Sequence, residues 1–291
     1  MCTAAKRLDT RNLCNRRNTR LDLATRPSKL RPVNILLTND DGVRADGLAV
    51  LASRLADLGT VHVVAPDRER SCTGHAFTMH EPLRVDRVAP HWYAVSGTPA
   101  DCAYLGIFEL CPTPDLVVSG INHGYNLGSD VFYSGTVAGA VEAALHNIPA
   151  IAVSMGYAAG ADFGPAAALV HALATTVQRE RLPQGTVLNV NLPGPAHVRA
   201  QDSRTQFMWT RLGQRAYHKH VDSRKDPRGH AYYWIGGPPQ THDDPPGTDA
   251  FAVHRGLGSV TPLTLDLTHH DVLSTLPTWR LDGFVALPSS G

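Results

Sequence analysis

The sequence predicts an α/β fold: a doubly wound, mostly parallel sheet followed by a β-hairpin or extended arm region in the C-terminal third. Three observations support this prediction. Short continuous apolar runs recur from residue 34 onward, as expected of strands that are buried on both faces. Segments of helical period separate these runs, so strand and helix alternate along the chain. After Pro193 the alternation stops, and a stretch rich in Pro, Gly, His and aromatic residues begins.

The apolar runs predict buried strands joined by right-handed crossovers. They are NILLT (34–38), VHVVAP (61–66), DLVVSG (115–120), AIAVS (150–154) and TVLNVNLP (186–193). Two further runs, 77–85 and 92–97, alternate between apolar and polar residues and predict more exposed strands. This succession indicates a Rossmann-like sheet.

Helices are predicted between the strands, at 45–59, 98–110, 134–147 and 163–182. The first has leucines at helical spacing, with Asp46 as the expected N-cap. The second has Thr98 at an N-cap position and Pro99 at the first helical position, where proline is favoured. The third is rich in Ala and Gly, which would allow close packing.

The charge distribution separates a basic N-terminal extension from a larger body. Residues 1–33 carry nine Lys and Arg against two Asp, whereas the rest of the chain carries 18 Lys and Arg against 24 Asp and Glu. The extension 1–32 lacks the apolar segment of a secretion signal, although an organellar transit peptide or a contact with nucleic acid stays open. We expect it to be disordered, or to reflect a start codon placed too far upstream.

Composition excludes several classes of protein. No apolar run approaches the roughly 20 residues that span a bilayer, so no membrane partner is expected. The five cysteines are odd in number and contain no CxxC pair, which excludes a disulfide framework and a zinc finger. We therefore expect reduced thiols and a cytoplasmic protein. The acidic body also argues against a stable nucleic-acid partner.

Polar residues follow three of the predicted buried strands at the point where each strand ends. They are Asn39, Asp40, Asp41 and Gly42 after the first strand, Asp67, Arg68, Arg70 and Ser71 after the second, and Ser119, Asn122, His123 and Asn126 at and beyond the end of the third. Ligands of open parallel sheets bind at these carboxyl ends. Oxygen donors without cysteine suit a divalent cation such as Mg²⁺ or Mn²⁺. Such a cation would also offset the repulsion between the adjacent Asp40 and Asp41 carboxylates.

A second candidate site lies at the start of the third predicted helix. Ser134, Gly135 and Thr136 stand where unpaired backbone N–H groups attract a phosphate. A cation site and an anion site together indicate a phosphomonoester substrate. Each motif taken alone also has a purely structural explanation, since Asp-Asp-Gly commonly forms a solvated turn. The prediction therefore depends on the recurrence of polar residues at successive strand ends.

Five motifs in this order resemble the SurE family of stationary-phase survival proteins. They are ILLTNDDG (35–42), VVAPDRERSCTGH (63–75), GTPADC (97–102), DLVVSGINHGYNLGSDVFYSGTVAGA (115–140) and IPAIAVS (148–154). The resemblance implies a metal-dependent nucleotidase that hydrolyses nucleoside 5′- and 3′-monophosphates, some members also trimming short polyphosphate. It implies that one divalent cation per subunit is held by Asp40, Asp41, Ser71 and Asn122.

The resemblance also implies a homodimer or homotetramer in which the later hairpin region is exchanged between subunits. We expect one SurE-type nucleotidase domain over 33–291. Its expected parts are a core at about 33–193, a hairpin or arm region at about 194–262, and a C-terminal segment at 263–291.

The mechanism expected from these residues is in-line attack on phosphorus by a metal-activated water. Asp40 or Asp41 would orient or deprotonate that water, while Asn39 and Gly42, with the segment 134–136, would contact the phosphoryl oxygens. A non-hydrolytic nucleotide-binding regulatory module is an alternative. A serine hydrolase is a second one, but no His/Asp relay can be placed for it.

Overall fold

The computed structural model describes residues 32–156, 160–194, 206–215, 217, 220–237 and 244–276. The extension predicted at 1–32 lies outside the described residues apart from Pro32, and so does the chain after Leu276.

The five predicted buried runs and the run 92–97 each form a strand, with ends that differ from the prediction by at most three residues. The strands within the described residues are β1 Val33–Thr38, β2 Gly59–Pro66, β3 Val85–Ala89, β4 Trp92–Val95, β5 Leu116–His123, β6 Ala150–Met155, β7 Thr186–Leu192, β8 Phe207–Trp209, β9 His220–Lys225, β10 Ala231–Gly236 and β11 Gly258–Thr264. The continuous apolar runs are buried, because each is covered on both faces.

Four α-helices lie within the predicted helical segments, and two further short helices near the end of the described chain were not predicted. They are α1 Asp46–Leu55, α2 Pro99–Leu105, α3 Gly135–Leu145, α4 Gly164–Glu180, α5 Asp249–His254 and α6 His270–Thr275. A π-helical turn continues α2 over Gly106–Leu110, and a 3₁₀ turn at Gly128–Phe132 precedes α3. Among the described residues, no helix combines the length and the apolar character needed to cross a membrane.

The main sheet confirms the predicted α/β architecture. Its strand order is β3-β4-β2-β1-β5-β6-β7-β11-β8. The six neighbours from β4 to β7 are parallel, whereas β3 and β11 pair antiparallel to β4 and β7. Helices cover both faces: α1 and α4 pack on the face that contains Ile35 and Leu37, and α2 and α3 pack on the opposite face, which contains Leu36. Alternate residues of β1 thus enter two cores, as a doubly wound sheet requires.

Two local predictions were wrong. The N-cap of α1 is Ala45, whose side chain makes no capping bond, and Asp46 is the first helical residue. At this position its carboxylate still interacts favourably with the positive end of the helix dipole. The strand predicted at 77–85 is irregular up to Val85, and its first residues, Phe77 and Thr78, contact α2 instead of a neighbouring strand. One such contact is the backbone N–H of Thr78, which donates to Asp101 at 2.8 Å.

The region after Pro193 contributes to two sheets. β11 and β8 extend the main sheet beyond β7. β9 and β10 form a separate antiparallel hairpin in which Lys225 pairs with Ala231 and His220 with Gly236. The side chains of β10 are exposed along its whole length.

Candidate active site

The ends of β1 and β5 lie side by side at the point where the strand order reverses. Thr38 at the end of β1 pairs with Ser119 of β5, while β2 pairs on the other side of β1. In open α/β sheets, ligands bind in the crevice outside such a switch point. The three loops singled out by the sequence therefore meet at one crevice.

A tight turn follows β1 and presents the two aspartates. The Asn39 Nδ2 donates to the Gly42 carbonyl at 2.9 Å, and the Gly42 N–H donates to the Asn39 Oδ1 at 3.1 Å. Gly42 has a φ of +101°, which favours glycine, and a Cβ atom there would lie 3.2 Å from the backbone carbonyl carbon of Arg68. Asn39 is fully buried. Its side chain therefore shapes the turn, while a contact between Asn39 and phosphate stays a prediction.

Asp40 connects the turn to the start of α3 and to the loop after β2. Its side chain is 5% exposed and accepts a hydrogen bond from the Thr136 hydroxyl at 2.5 Å. Its backbone carbonyl accepts from the Arg70 N–H at 2.8 Å. Burial raises the pKa of Asp40 from 3.8 to about 6; the Thr136 hydrogen bond opposes that shift, and the charge of Asp41 adds to it.

Asp41 connects the same turn to the loop after β5. Its Oδ2 accepts from the backbone N–H of His123 at 3.2 Å, next to Asn122. Burial raises the pKa of Asp41, the His123 N–H and ring oppose the shift, and the Glu69 carboxylate raises the pKa further. The Glu69 carboxylate therefore lies close enough to Asp41 to act on it, and the sequence analysis did not single it out.

The two other predicted metal ligands lie on the adjoining loops. Ser71 is exposed, and its hydroxyl donates to Glu69 Oε1 at 2.6 Å. Asn122 is partly buried, and its Nδ2 donates to the Gly124 carbonyl at 3.0 Å, which leaves its Oδ1 oxygen outside that bond.

The donor set fits a hard divalent cation. Carboxylate, hydroxyl and amide oxygens are the groups that Mg²⁺ and Mn²⁺ prefer. The raised pKa values of Asp40 and Asp41 mean that ionising both carboxylates costs free energy, which a nearby dication would offset. Within the described ranges no group of three His, Cys, Asp or Glu is arranged for a metal. A cation at this cluster would therefore need the hydroxyl and amide donors as well.

The start of α3 adjoins the carboxylates. The Ser134 hydroxyl caps the helix by accepting from the Val137 N–H at 3.0 Å. Gly135 lies so close to Asp40 that a Cβ atom there would be 2.9 Å from the Asp40 Cβ. With the Ser134 and Thr136 side chains already partnered, the groups left for an anion are the backbone N–H donors of the first turn.

Two anchoring interactions were missed from the sequence. The loop after β2 is held against α3, because Gly74 N–H donates to the Tyr133 carbonyl at 3.0 Å and His75 Nε2 lies 2.7 Å from Glu142 Oε2. A lone acidic residue within a helix of small residues was the available signal for Glu142.

The segment between Asn122 and Ser134 is held by buried polar groups. The Asn126 N–H donates to Asn191 Oδ1 at 2.8 Å, and the Asn126 carbonyl accepts from the Asn189 and Asn191 side chains. Asparagines in the middle of the apolar run 186–193 were the signal that could have indicated this contact. Further along, Asp249 of α5 is fully buried and accepts from the Gly128 N–H at 2.8 Å.

Comparison with known proteins identifies the family of this chain. The family model described as Survival protein SurE matches residues 35–219. A 5′-nucleotidase SurE from Geotalea uraniireducens is 51% identical over 251 residues, covering 86% of this chain and 100% of the relative. A 5′-nucleotidase SurE from Myxococcus xanthus is 46% identical over 257 residues, covering 87% of this chain and 96% of the relative. The crystal structure of the Sure protein from Aquifex aeolicus has a TM-score of 0.73 at 41% identity, covering 84% of this chain and 98% of that one. On the strength of these matches and the confirmed fold, the chain belongs to the SurE family.

Proposed function

We propose that this chain is a metal-dependent phosphomonoesterase that hydrolyses nucleoside 5′-monophosphates to nucleoside and phosphate. The observation that carries the proposal is the position of Asp40. Its carboxylate is bonded by Thr136 at the start of α3, and its backbone by Arg70 after β2. A carboxylate pair therefore lies next to a helix N-terminus, which is the arrangement needed to hold a cation and a phosphate together. The printed name of the relatives, 5′-nucleotidase, points to the same reaction.

Asp40, Asp41, Ser71 and Asn122 would hold one divalent cation per subunit, Mg²⁺ or Mn²⁺. When bound, such a cation neutralises charge on the phosphoryl group and lowers the pKa of a bound water. The chain's own contribution is positional. Thr136 fixes the rotation of the Asp40 carboxylate, and the His123 N–H fixes that of Asp41. One of the two carboxylates would orient or deprotonate the attacking water.

The segment Ser134–Thr136 would bind the phosphoryl oxygens through backbone N–H groups, stabilising the charge that spreads over them in the transition state. Asn39 and Gly42 would support this contact by shaping the turn that holds Asp40 against α3. We propose direct attack by water on phosphorus. Hydrolysis in ¹⁸O-labelled water under single-turnover conditions tests this, because an isolable phosphoaspartate would contradict it.

Phosphate release from a panel of nucleotides, with a divalent-metal series and an EDTA control, tests the whole proposal. We expect turnover of nucleoside 5′-monophosphates that EDTA abolishes and Mg²⁺ or Mn²⁺ restores. Asp40→Asn and Asp41→Asn should each lower kcat by orders of magnitude, whereas Asp46→Asn, an exposed carboxylate on the neighbouring helix, should not. Full turnover by chelator-treated protein would refute the metal requirement.

The same panel decides two narrower points. Nucleoside 3′-monophosphates and short polyphosphate belong in it, because we propose both as further substrates of the same cluster. Saturable nucleotide binding without phosphate release would instead establish the non-hydrolytic regulatory module. The serine hydrolase gains no support, since Ser71 donates to Glu69 and Ser134 caps α3.

We also propose that the chain forms a homodimer or homotetramer through the arm region at 194–262, within one cytoplasmic nucleotidase domain spanning 33–291. The support is the β9–β10 hairpin, which pairs outside the main sheet and exposes several large apolar side chains. They are Val221, Tyr232, Tyr233, Trp234 and Ile235. Large exposed apolar side chains concentrated on one hairpin are typical of a protein interface.

A further inference from the structure

We infer that the ring of Tyr133 is the surface on which the nucleobase of the substrate stacks. The inference deepens the proposed function and rests on it. Tyr133 directly precedes Ser134 at the N-terminus of α3, and 68% of its surface is exposed. A large aromatic side chain this exposed beside a polar crevice has lost little water on folding, so its face is available to a ligand.

The contacts of its backbone place Tyr133 at the rim of the candidate active site. Its carbonyl accepts from the Gly74 N–H at 3.0 Å, three residues after Ser71. Two residues further along, Gly135 packs against the Asp40 carboxylate. Tyr133 therefore lies between the loop that carries a predicted metal ligand and the helix start proposed to bind phosphate.

This position matches the shape of a nucleoside monophosphate. Only a ribose separates the base from its 5′-phosphate, and a tyrosine side chain has a comparable reach. A phosphate bound at Ser134–Thr136 would leave the base within reach of the preceding residue. Stacking on an aromatic ring accepts any base, because every base has a π face, so this subsite would favour nucleotides over other phosphomonoesters without selecting one base.

Phe132, 64% exposed, directly precedes Tyr133 and is one residue further from the segment 134–136. The exposed aromatic residues at and near α2 lack this position. Phe77, Tyr104 and Phe108 pack against one another, with ring centroids 5.2 Å and 4.7 Å apart along the series. Of these, Tyr104 and Phe108 contact His146, beyond the other end of α3. Because Phe108 is 54% exposed, Phe108→Ala is a matched control for the loss of an exposed aromatic ring.

The test compares AMP with ribose 5-phosphate, which has the same phosphate and sugar but no base. We expect Tyr133→Ala to lower kcat/KM for AMP by about 5- to 100-fold and to leave kcat/KM for ribose 5-phosphate unchanged. Tyr133→Trp should keep the preference for AMP, and Phe108→Ala should change neither substrate. Adenosine should inhibit the wild-type enzyme competitively, with an inhibition constant that Tyr133→Ala raises by the same factor.

Equal losses on both substrates, or no loss on either, would overturn the inference. Sedimentation of Tyr133→Ala adds a second check: a changed oligomeric state with both substrates affected would make the ring an interface residue instead. A wild-type enzyme that hydrolyses neither substrate would refute the proposed function itself, which keeps the two failures apart.

Discussion

Replacing Gly135 by alanine should displace the Asp40 carboxylate. A Cβ atom at position 135 would lie 2.9 Å from the Asp40 Cβ, 3.0 Å from Pro99 Cγ and 3.1 Å from Asp40 Oδ2. The first distance is shorter than packed carbon atoms tolerate, so either the start of α3 or the turn after β1 must move. Both parts carry proposed catalytic or phosphate-binding groups.

The size of the effect follows from the packing. Adding a methyl group to a filled site costs about 1–3 kcal/mol of unfolding free energy. The higher helix propensity of alanine returns up to about 1 kcal/mol. We therefore expect Gly135→Ala to destabilise the protein by about 1–2 kcal/mol. Because a displacement of about 1 Å can cost roughly 100-fold in rate, kcat/KM for AMP should fall by about two orders of magnitude.

Gly139→Ala is the matched control, one helical turn further along α3. Its added Cβ would lie 2.8 Å from Thr38 Cγ2 and 3.1 Å from Ser119 Oγ, so it overpacks the same helix without meeting a carboxylate. Urea unfolding and phosphate release would be measured on both variants. We expect similar losses of stability but a large loss of activity only in Gly135→Ala. Equal activity in the two variants would refute the coupling of Asp40 to the start of α3.

Three further predictions concern charge, anchoring and assembly. Burial raises the pKa of Asp40 from 3.8 to about 6. Above pH 6, the ionised carboxylate therefore lowers the unfolding free energy of the metal-free protein by about 3 kcal/mol. This destabilisation disappears as the pH falls below 4, where the carboxyl group is protonated in both the folded and the unfolded protein. Asp40→Asn in EDTA should therefore raise the unfolding free energy at pH 8 but not at pH 3.5; a pH-independent gain would contradict this. Asp249→Ala leaves the N–H groups of Gly128 and Gly213 without the carboxylate that each bonds at 2.8 Å. It should lower the free energy of unfolding in urea by about 3 kcal/mol or more. An unchanged unfolding midpoint would show that water replaces the carboxylate. Ile235 of β10 is 89% exposed, so Ile235→Arg should leave the melting temperature unchanged. It should shift the sedimentation coefficient toward the value of the monomer. An unchanged coefficient would show that the hairpin is not part of the interface.

Part of the site was accessible from the sequence because strand ends carry a positional rule. Asp40, Asp41 and Asn122 follow runs that are recognisably strands, and parallel strands bring their carboxyl ends to one edge. The rule does not state which strands are neighbours. Glu69 and Glu142 escaped notice because a charged residue in a loop or helix has the same local signature whether it faces solvent or a buried partner.

The sequence by itself determined the order of strands and helices as far as β7 and some of their ends. Apolar runs and capping residues act within a few positions of the chain, and the predicted cap of α2 is present: Thr98 and Asp101 bond each other's backbone, with Pro99 at the first helical position. Where the local signal was ambiguous, as at Asp46, the prediction failed by one residue.

Only the tertiary structure decided that β1 pairs with β5, that Thr136 holds Asp40, and that Asp249 holds Gly128 from 121 residues away. Such contacts join residues with no local influence on each other. They form only when the whole sheet closes and buried polar groups must find partners inside it.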